Sequence, residues 1–157
     1  MRIICLISPG HLSSNPRLVK EADALASVGY RVLLITGYSF PAYADETEDF
    51  KDRPWGVAAR VPFGGLAPHW LRWKQRLRQR LALALCRLGL SPQALVVRAW
   101  HPAGPELIRA AVAVRADLYI AHYPPALPAA ALAARRHDAA YAFDAEDYHL
   151  GLSLIHI

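Results

Sequence analysis

The first 36 residues constrain the fold more strongly than any other part of the sequence. Residues 2–8 (RIICLIS) form a continuous apolar run, which is typical of a strand that is buried on both faces. Asn15 and Pro16 are suited to the N-cap and first position of a helix, and Gly29 is suited to its end. Residues 31–36 (RVLLIT) predict a second buried strand. A strand, a helix and a strand in this order form a crossover unit, so we expect a parallel sheet.

The remaining sequence continues the alternation of strands and helices. Apolar segments predict three further strands, at residues 56–61, 117–121 and 139–144. Helices are predicted at residues 69–88, 104–115 and 125–137. Residues 45–52 are expected to form a solvated acidic loop, and residues 95–99 either a short strand or a linker. The sequence therefore predicts an α/β fold, with a Rossmann-like, doubly wound and mostly parallel sheet in one domain over residues 1–151.

Composition narrows the class of protein. The 157 residues are 54% hydrophobic and 20% charged, which suits one domain with a core and excludes a disordered or collagen-like chain. Cys5 and Cys86 lie in apolar runs and are expected to be reduced, buried thiols. The longest apolar run, residues 81–90, is about half the length that spans a bilayer, and no signal peptide is recognised. We therefore expect a soluble cytoplasmic protein whose net charge of +5 favours anionic partners.

The loops after the strands are the expected ligand-binding region, because ligands of doubly wound sheets bind beside the carboxyl ends of the strands. In the first loop, Gly10 allows a ligand to approach the backbone closely, and the helix that starts after Asn15 offers free N–H groups to an anion. Arg17 adds a charged donor. A helix cap with an ordinary turn is an equal alternative. The sequence contains no G-x-G-x-x-G or Walker motif, which excludes the two common nucleotide-binding fingerprints.

Ionisable residues also follow the last two predicted strands. His122 is suited to act as an acid, a base or a hydrogen-bond donor, although a histidine that only bonds backbone at the strand end is the favoured alternative here. Asp144, Glu146 and Asp147 supply oxygen ligands for a metal or acceptors for sugar hydroxyls, or they cap a following helix. No metal site is predicted, because no second cluster of ligands is visible elsewhere.

The predicted helix at residues 70–87 carries six basic and no acidic side chains, together with tryptophans and a stripe of leucines. A basic amphipathic helix with tryptophans is typical of contact with an anionic membrane surface. We expect such contact to be made by Trp70, Arg72, Trp73, Arg76 and Arg80. No nucleic-acid-binding motif accompanies these charges, so nucleic acid is not an expected partner. The alternative is a packed helix with a solvated basic face, because its leucines would have to be buried.

Two segments resemble a known family. Residues 8–36 (SPGHLSSNPRLVKEADALASVGYRVLLIT) resemble the start of family 4-like glycosyltransferases, which have the GT-B architecture. Residues 117–149 (DLYIAHYPPALPAAALAARRHDAAYAFDAEDYH) are similar to the closing half of the same N-terminal domain. The resemblance implies transfer of a sugar from a nucleotide-sugar donor to a glycan or lipid-linked acceptor. The nucleotide-sugar is a substrate, and no cofactor is expected.

The resemblance also implies roles for individual residues. It places His122 near the transferred sugar as the catalytic residue, and it places a glycine-bearing loop near the donor phosphates. Substrate binding is then expected from residues in the loops that follow the strands. These residues are Gly10, His11, Asn15, Arg17, Tyr123, Asp144, Glu146 and Asp147. Some relatives use a basic amphipathic helix of this domain to reach lipid-linked acceptors, which would give residues 70–87 this role and place the protein at the inner face of the cell membrane.

The resemblance covers only the acceptor-side half of such an enzyme. We expect the C-terminal, donor-binding domain with its paired glutamates to be absent and the fragment to be inactive alone. Residues 152–157 (LSLIHI) resemble the translation of a transposon-end sequencing adaptor and are expected to be a non-native tail. Two alternatives stay open: a sugar-nucleotide epimerase of the same architecture, and a non-enzymatic module that binds a membrane surface.

Overall fold

A computed structural model describes residues 1–39, 50–90 and 92–145. The described strands are β1 (Ile3–Ser8), β2 (Arg31–Tyr38), β3 (Gly56–Pro62), β4 (Leu118–His122) and β5 (Ala140–Asp144). The described α-helices are α1 (Pro16–Ser27), α2 (His69–Arg87), α3 (Gln93–Trp100), α4 (Gly104–Ala113) and α5 (Leu127–His137). Single 3-10 turns lie at Gly64–Leu66 and Pro124–Ala126.

The five strands form one sheet in the order β3-β2-β1-β4-β5, and all four neighbouring pairs are parallel. The chain moves outward from β1 through β2 to β3, then returns to place β4 on the other side of β1. The boundary between β1 and β4 is therefore the topological switch point, beside which ligands bind in folds of this kind.

Helices cover both faces of this sheet. On one face, Leu18 of α1 packs against Leu6 and Leu34, and all three side chains are fully buried. On the other face, Leu107 of α4 shares a core with Tyr119 and with the alanines of α5. Alternate residues of the central strands supply the two cores, as expected for strands buried on both sides. The predicted Rossmann-like, doubly wound fold is confirmed, with a fully parallel sheet.

The predicted start and end of α1 are confirmed. The Asn15 side chain accepts a hydrogen bond from the Leu18 backbone N–H at 2.9 Å, and Pro16 occupies the first helical position. Gly29 follows the helix with a φ of 91°, a left-handed conformation in which glycine carries no Cβ penalty. These local signals set the residues at which α1 begins and ends.

Two sequence-based expectations are corrected. Residues 95–99 form neither a strand nor a linker but part of α3, which follows Pro92 and packs on α2, where the Gln79 side chain donates to the Ala99 carbonyl at 3.2 Å. A short apolar run is equally compatible with a strand and a packed helix, so periodicity alone could not decide between them.

The second correction concerns the cysteines, which were both expected to be buried. Cys5 is buried, which raises the pKa of its thiol to about 12, whereas Cys86 is only partly buried. Within the described ranges, no helix is long and apolar enough to cross a membrane.

Candidate functional site

A row of polar side chains crosses the sheet at the carboxyl ends of its strands. Ser8 pairs with Thr36, Thr36 pairs with Arg60, and His122 pairs with Asp144. In the register of β1 with β4, Ile7 pairs with Ala121, so the next residues, Ser8 and His122, lie side by side. Residues at one register level of a parallel sheet share a face, and here it is the face covered by α1. Ser8, Thr36 and His122 are buried, so this row lies beneath the loop that leads into α1.

His122 lies between two carboxylates. Its Nε2 atom is 2.8 Å from Oε2 of Glu21, and its Nδ1 atom is 3.8 Å from Oδ2 of Asp144. The His122 side chain is 0% exposed, whereas those of Glu21 and Asp144 are 31% and 27% exposed. Each ring nitrogen of His122 thus faces a different carboxylate. The solvent-facing part of this cluster is therefore made by the carboxylates and not by the ring.

Helix α1 supplies half of this cluster. Arg17 and Glu21 are one turn apart and lie on the same side of the helix. The Arg17 Nε atom is 3.2 Å from Oδ2 of Asp144, so the guanidinium compensates part of the negative charge. Burial of Leu18 and Ala22 against the sheet sets the rotation of α1 and thereby turns Arg17 and Glu21 toward the ends of β4 and β5.

The same three side chains form a donor set for a divalent ion. Glu21, His122 and Asp144 each offer one ligand atom, and these atoms lie within 4.8 Å of one another. Carboxylate and imidazole ligands suit several divalent metals. No metal site was predicted, because the sequence shows no second cluster of ligands to accompany the Asp144 segment. In the structure, Glu21 lies beside it.

An apolar pocket opens at the same edge of the sheet, at the switch point. Its volume is about 380 Å³, and it is lined by Pro9, Trp100, Tyr123, Pro124 and Pro125. The Trp100 side chain is half exposed. Tyr123 has a φ of 64°, which is strained for a bulky residue and is a feature that clusters at functional sites. An aromatic and proline-lined pocket beside a few polar groups is the usual composition of a small-molecule site.

The loop after β1 uses several of its predicted binding residues for its own structure. His11 is 3% exposed, and its Nε2 atom accepts a hydrogen bond from the Ser39 backbone N–H at 3.0 Å. Asn15 is 1% exposed and caps α1. The Gly10 N–H donates to Oγ of Ser8 at 3.2 Å. Binding of substrate by these residues stays a prediction, and the described contacts match the alternative of a helix cap and turn.

Sequence reasoning missed two residues of this region. A Cβ atom on Gly37 would lie 1.8 Å from the Pro9 carbonyl oxygen, so the loop after β1 crosses the end of β2 at backbone contact. A glycine inside a strand pattern was an available signal for this approach. Glu21 carried no local signal, because it reads as one more surface residue of an amphipathic helix. The predicted binding residues Glu146 and Asp147 and the predicted tail at 152–157 lie outside the described residues.

Helix α2 presents an apolar stripe to solvent. The stripe residues, spaced to lie on one helix face, are Trp70, Trp73, Leu77, Leu81 and Leu85, with exposed fractions of 67%, 71%, 58%, 57% and 39%. The expectation that the leucines of this helix would be buried is wrong. The helix packs through its opposite side, where Gln75 and Ala82 are buried and the Gln75 side chain donates to the Pro62 carbonyl at 3.1 Å.

The basic residues of α2 divide between two environments. Arg76 and Arg80 are exposed and lie beside the stripe. Arg72 contacts the ring of His69 at 2.8 Å. Arg78 turns inward, where its guanidinium donates to both carboxylate oxygens of Glu106 at 2.9 and 2.6 Å. One of the six cations therefore has a structural role and does not belong to the exposed basic surface.

Comparison with protein-family models, with curated proteins and with solved structures returned no match.

Proposed function

We propose that this chain is the N-terminal, acceptor-side domain of a glycosyltransferase that uses a nucleotide-sugar donor. The observation that carries the proposal is the Glu21–His122–Asp144 cluster at the carboxyl edge of a Rossmann-like sheet. It lies at the end of the sheet where such folds bind ligands, beside an aromatic pocket of about 380 Å³. The resemblance of residues 8–36 and 117–149 to family 4-like glycosyltransferases supports the same assignment.

In this proposal each side chain has a separate role. Glu21 and Asp144 accept hydrogen bonds from sugar hydroxyls, because ionised carboxylates are acceptors only and both reach solvent. His122, which is fully buried, lies between the two carboxylates and holds them in place. Arg17 pairs with a donor phosphate oxygen, a contact that a guanidinium makes strongly. Trp100 and Tyr123 provide an apolar surface for the face of the sugar ring.

The test begins with the genomic reading frame beyond residue 151. We expect it to continue into a second α/β domain, and a stop codon directly after Ile157 would overturn the proposal. The product of this longer reading frame, which we call the extended protein, is then incubated with a panel of UDP- and GDP-hexoses. A membrane extract serves as the acceptor source. We expect nucleoside diphosphate release that depends on the extract. Conversion of the donor to an epimeric nucleotide-sugar without extract would instead indicate the epimerase alternative.

Two variants make this test specific for the cluster. We expect His122→Ala to lower turnover about a hundredfold, because the positions of both carboxylates depend on the ring. The control is Arg136→Ala, which removes an exposed side chain on α5, away from the cluster and from α2, and should leave turnover unchanged. Equal turnover of His122→Ala and the unmodified protein would contradict the role of the cluster.

We also propose that α2 binds an anionic membrane surface. The carrying observation is the exposed apolar stripe, whose two tryptophans and three leucines lie beside the exposed cations Arg76 and Arg80. A helix that combines an apolar face with basic flanks inserts its apolar side among lipid headgroups, and its cations attract anionic lipids. This contact would bring the domain to a lipid-linked acceptor.

Vesicle flotation tests the membrane proposal. We expect the chain to float with vesicles of phosphatidylcholine and phosphatidylglycerol, and less at high salt. Replacing Arg76 and Arg80 by Glu should weaken binding about tenfold or more, since each cation contributes about 1 kcal/mol near such a surface. The matched control reverses Arg135 and Arg136, two exposed cations of α5. Equal loss in both variants, or equal flotation with neutral vesicles, would contradict a specific role of α2.

A further inference from the structure

A β-bulge in β3 turns Arg60 toward the face of the sheet that α1 covers. The register between β2 and β3 shifts after Val57, so Ala58 is the extra residue. In a regular strand, Val57 and Arg60 would point to opposite faces, because side chains alternate. The bulge places both on the same face, and bulges commonly redirect a side chain in this way next to functional sites.

One nitrogen of the Arg60 guanidinium is buried and has no hydrogen-bond acceptor among the described residues. This nitrogen is Nη2. The Cζ atom of Arg60 lies 5.6 Å from the centre of the Tyr38 ring, which is a cation–π distance. A buried N–H of a charged group is unfavourable unless an acceptor meets it. A bound ligand that carries an acceptor atom would therefore satisfy the buried Nη2 group of Arg60.

A pocket of about 200 Å³ adjoins this guanidinium. Its apolar walls are Leu12, Phe50, Trp55 and Val57, and Lys51 and Gly56 complete the lining. We call it the Arg60 pocket. The Phe50 and Trp55 rings lie 5.8 Å apart, and Trp55 is 7% exposed. The pocket is smaller than the roughly 300–1,000 Å³ typical of drug-sized ligands, so it fits only a small molecule or one group of a larger molecule.

We propose that the Arg60 pocket binds an oxyanion, a carboxylate or a phosphate, carried on a small apolar body. The planar guanidinium pairs with two oxygens of such a group, and the aromatic and aliphatic walls contact the apolar part. The pocket lies three strand spacings, about 14 Å, from His122 along the polar row. It is therefore separate from the Glu21–His122–Asp144 cluster, and the proposal does not depend on glycosyl transfer.

Titration of the full chain, followed by proton–nitrogen correlation NMR, tests this proposal. The reporter is the indole N–H of Trp55, which donates to Asp23 at 2.8 Å and is assigned with the variant Trp55→Phe. Sodium benzoate probes a carboxylate with an apolar body, and sodium phosphate probes the oxyanion alone, both at constant ionic strength. We expect a saturable shift with benzoate and a weaker one with phosphate.

Variants show whether Arg60 is responsible. Arg60→Met should weaken benzoate binding about tenfold, which is the effect of losing one charge-assisted hydrogen bond. Arg31→Met, which removes an exposed arginine at the start of β2, should bind benzoate as the unmodified chain does. At a given benzoate concentration, the Tm should rise equally for the unmodified chain and Arg31→Met, and by less for Arg60→Met.

Three results would overturn the proposal. The first is a Trp55 signal that neither probe shifts in a saturable way. The second is benzoate binding by a folded Arg60→Met chain that equals binding by the unmodified chain. The third is phosphate binding tighter than benzoate binding, which would contradict the role assigned to the apolar walls.

Discussion

At the scale of single residues, His101 links pH to stability. Its Nδ1 atom accepts a hydrogen bond from the Ala103 backbone N–H at 3.2 Å, and its ring packs edge-on against Phe63. Burial lowers the pKa of His101 below its usual value, and the negative charge of Glu106 opposes this shift only in part. The folded state therefore favours the neutral ring, which is the form that can accept at Nδ1.

The pH dependence of unfolding tests this role. Because the pKa of His101 is lower in the folded chain, its contribution to stability is present above its unfolded pKa of about 6.5 and is lost as pH falls through the folded pKa. Urea unfolding between about pH 7.5 and pH 5.5 should show a larger loss for the unmodified chain than for His101→Asn. Asparagine keeps an acceptor for a backbone N–H two residues on, but it does not titrate. Identical losses would contradict the assignment.

Gly37 is the residue at which a single methyl group should be least tolerated. The ideal Cβ position lies 1.8 Å from the Pro9 carbonyl oxygen and 2.8 Å from the Phe63 ring. We expect Gly37→Ala to lower the free energy of unfolding by about 3 kcal/mol, since both backbones would have to move. Gly56→Ala is the control, because no atom lies within 4 Å of its Cβ position, and its effect should stay within about 0.5 kcal/mol. Urea unfolding measures both, and equal effects would contradict the close approach.

At the scale of elements, Arg78 joins α2 to α4. Its guanidinium makes two hydrogen bonds to the Glu106 carboxylate and one to the Pro102 carbonyl, and the two side chains are only 19% and 12% exposed. Burial alone would raise the pKa of Glu106, but the hydrogen bond and charge of Arg78, together with a backbone hydrogen bond and the charge of Arg109, lower it overall. This ion pair therefore adds to the hydrogen bonds by which Gln75 and Gln79 attach the other parts of α2.

Removing this ion pair should release α2. Arg78→Met leaves the buried Glu106 carboxylate without its main partner, and we expect the free energy of unfolding to fall by about 2–3 kcal/mol. Arg109 also contacts Glu106, but it is 67% exposed, so Arg109→Met should change stability by less than about 1 kcal/mol. Hydrogen exchange of α2 amides should rise in Arg78→Met and not in Arg109→Met. Unchanged exchange in both would contradict the role of this pair.

Local patterns predicted most elements because their causes are local. The buried runs at β1 and β2 and the cap at Asn15 each contain their own signal. The helical structure of residues 95–99, within α3, was not predictable, because it depends on packing against α2, which the local sequence does not show. The same holds for the α2 stripe, since the sequence shows that the helix is amphipathic but not which side the rest of the chain covers.

At the scale of the whole molecule, the order of the strands assembles the candidate site. Placing β4 beside β1 and β5 beside β4 brings His122 and Asp144 to one register level under α1. Sequence analysis located both residues at strand ends, because strand termini can be read locally. Their contact with Glu21 was not predictable, since it depends on the rotation of α1 over the finished sheet. The site is thus a consequence of topology.

The turnover of Glu21→Gln in the extended protein tests the central claim most directly. Glutamine keeps the size of the side chain but removes the charge that faces His122 at 2.8 Å and the full acceptor capacity offered to a sugar. The matched control is Asp138→Asn, which removes an exposed carboxylate just before β5, at the opposite edge of the sheet. Rates of nucleoside diphosphate release should fall about a hundredfold for Glu21→Gln and stay unchanged for Asp138→Asn. Equal rates for the two variants would contradict the claim that the Glu21–His122–Asp144 cluster is the active centre.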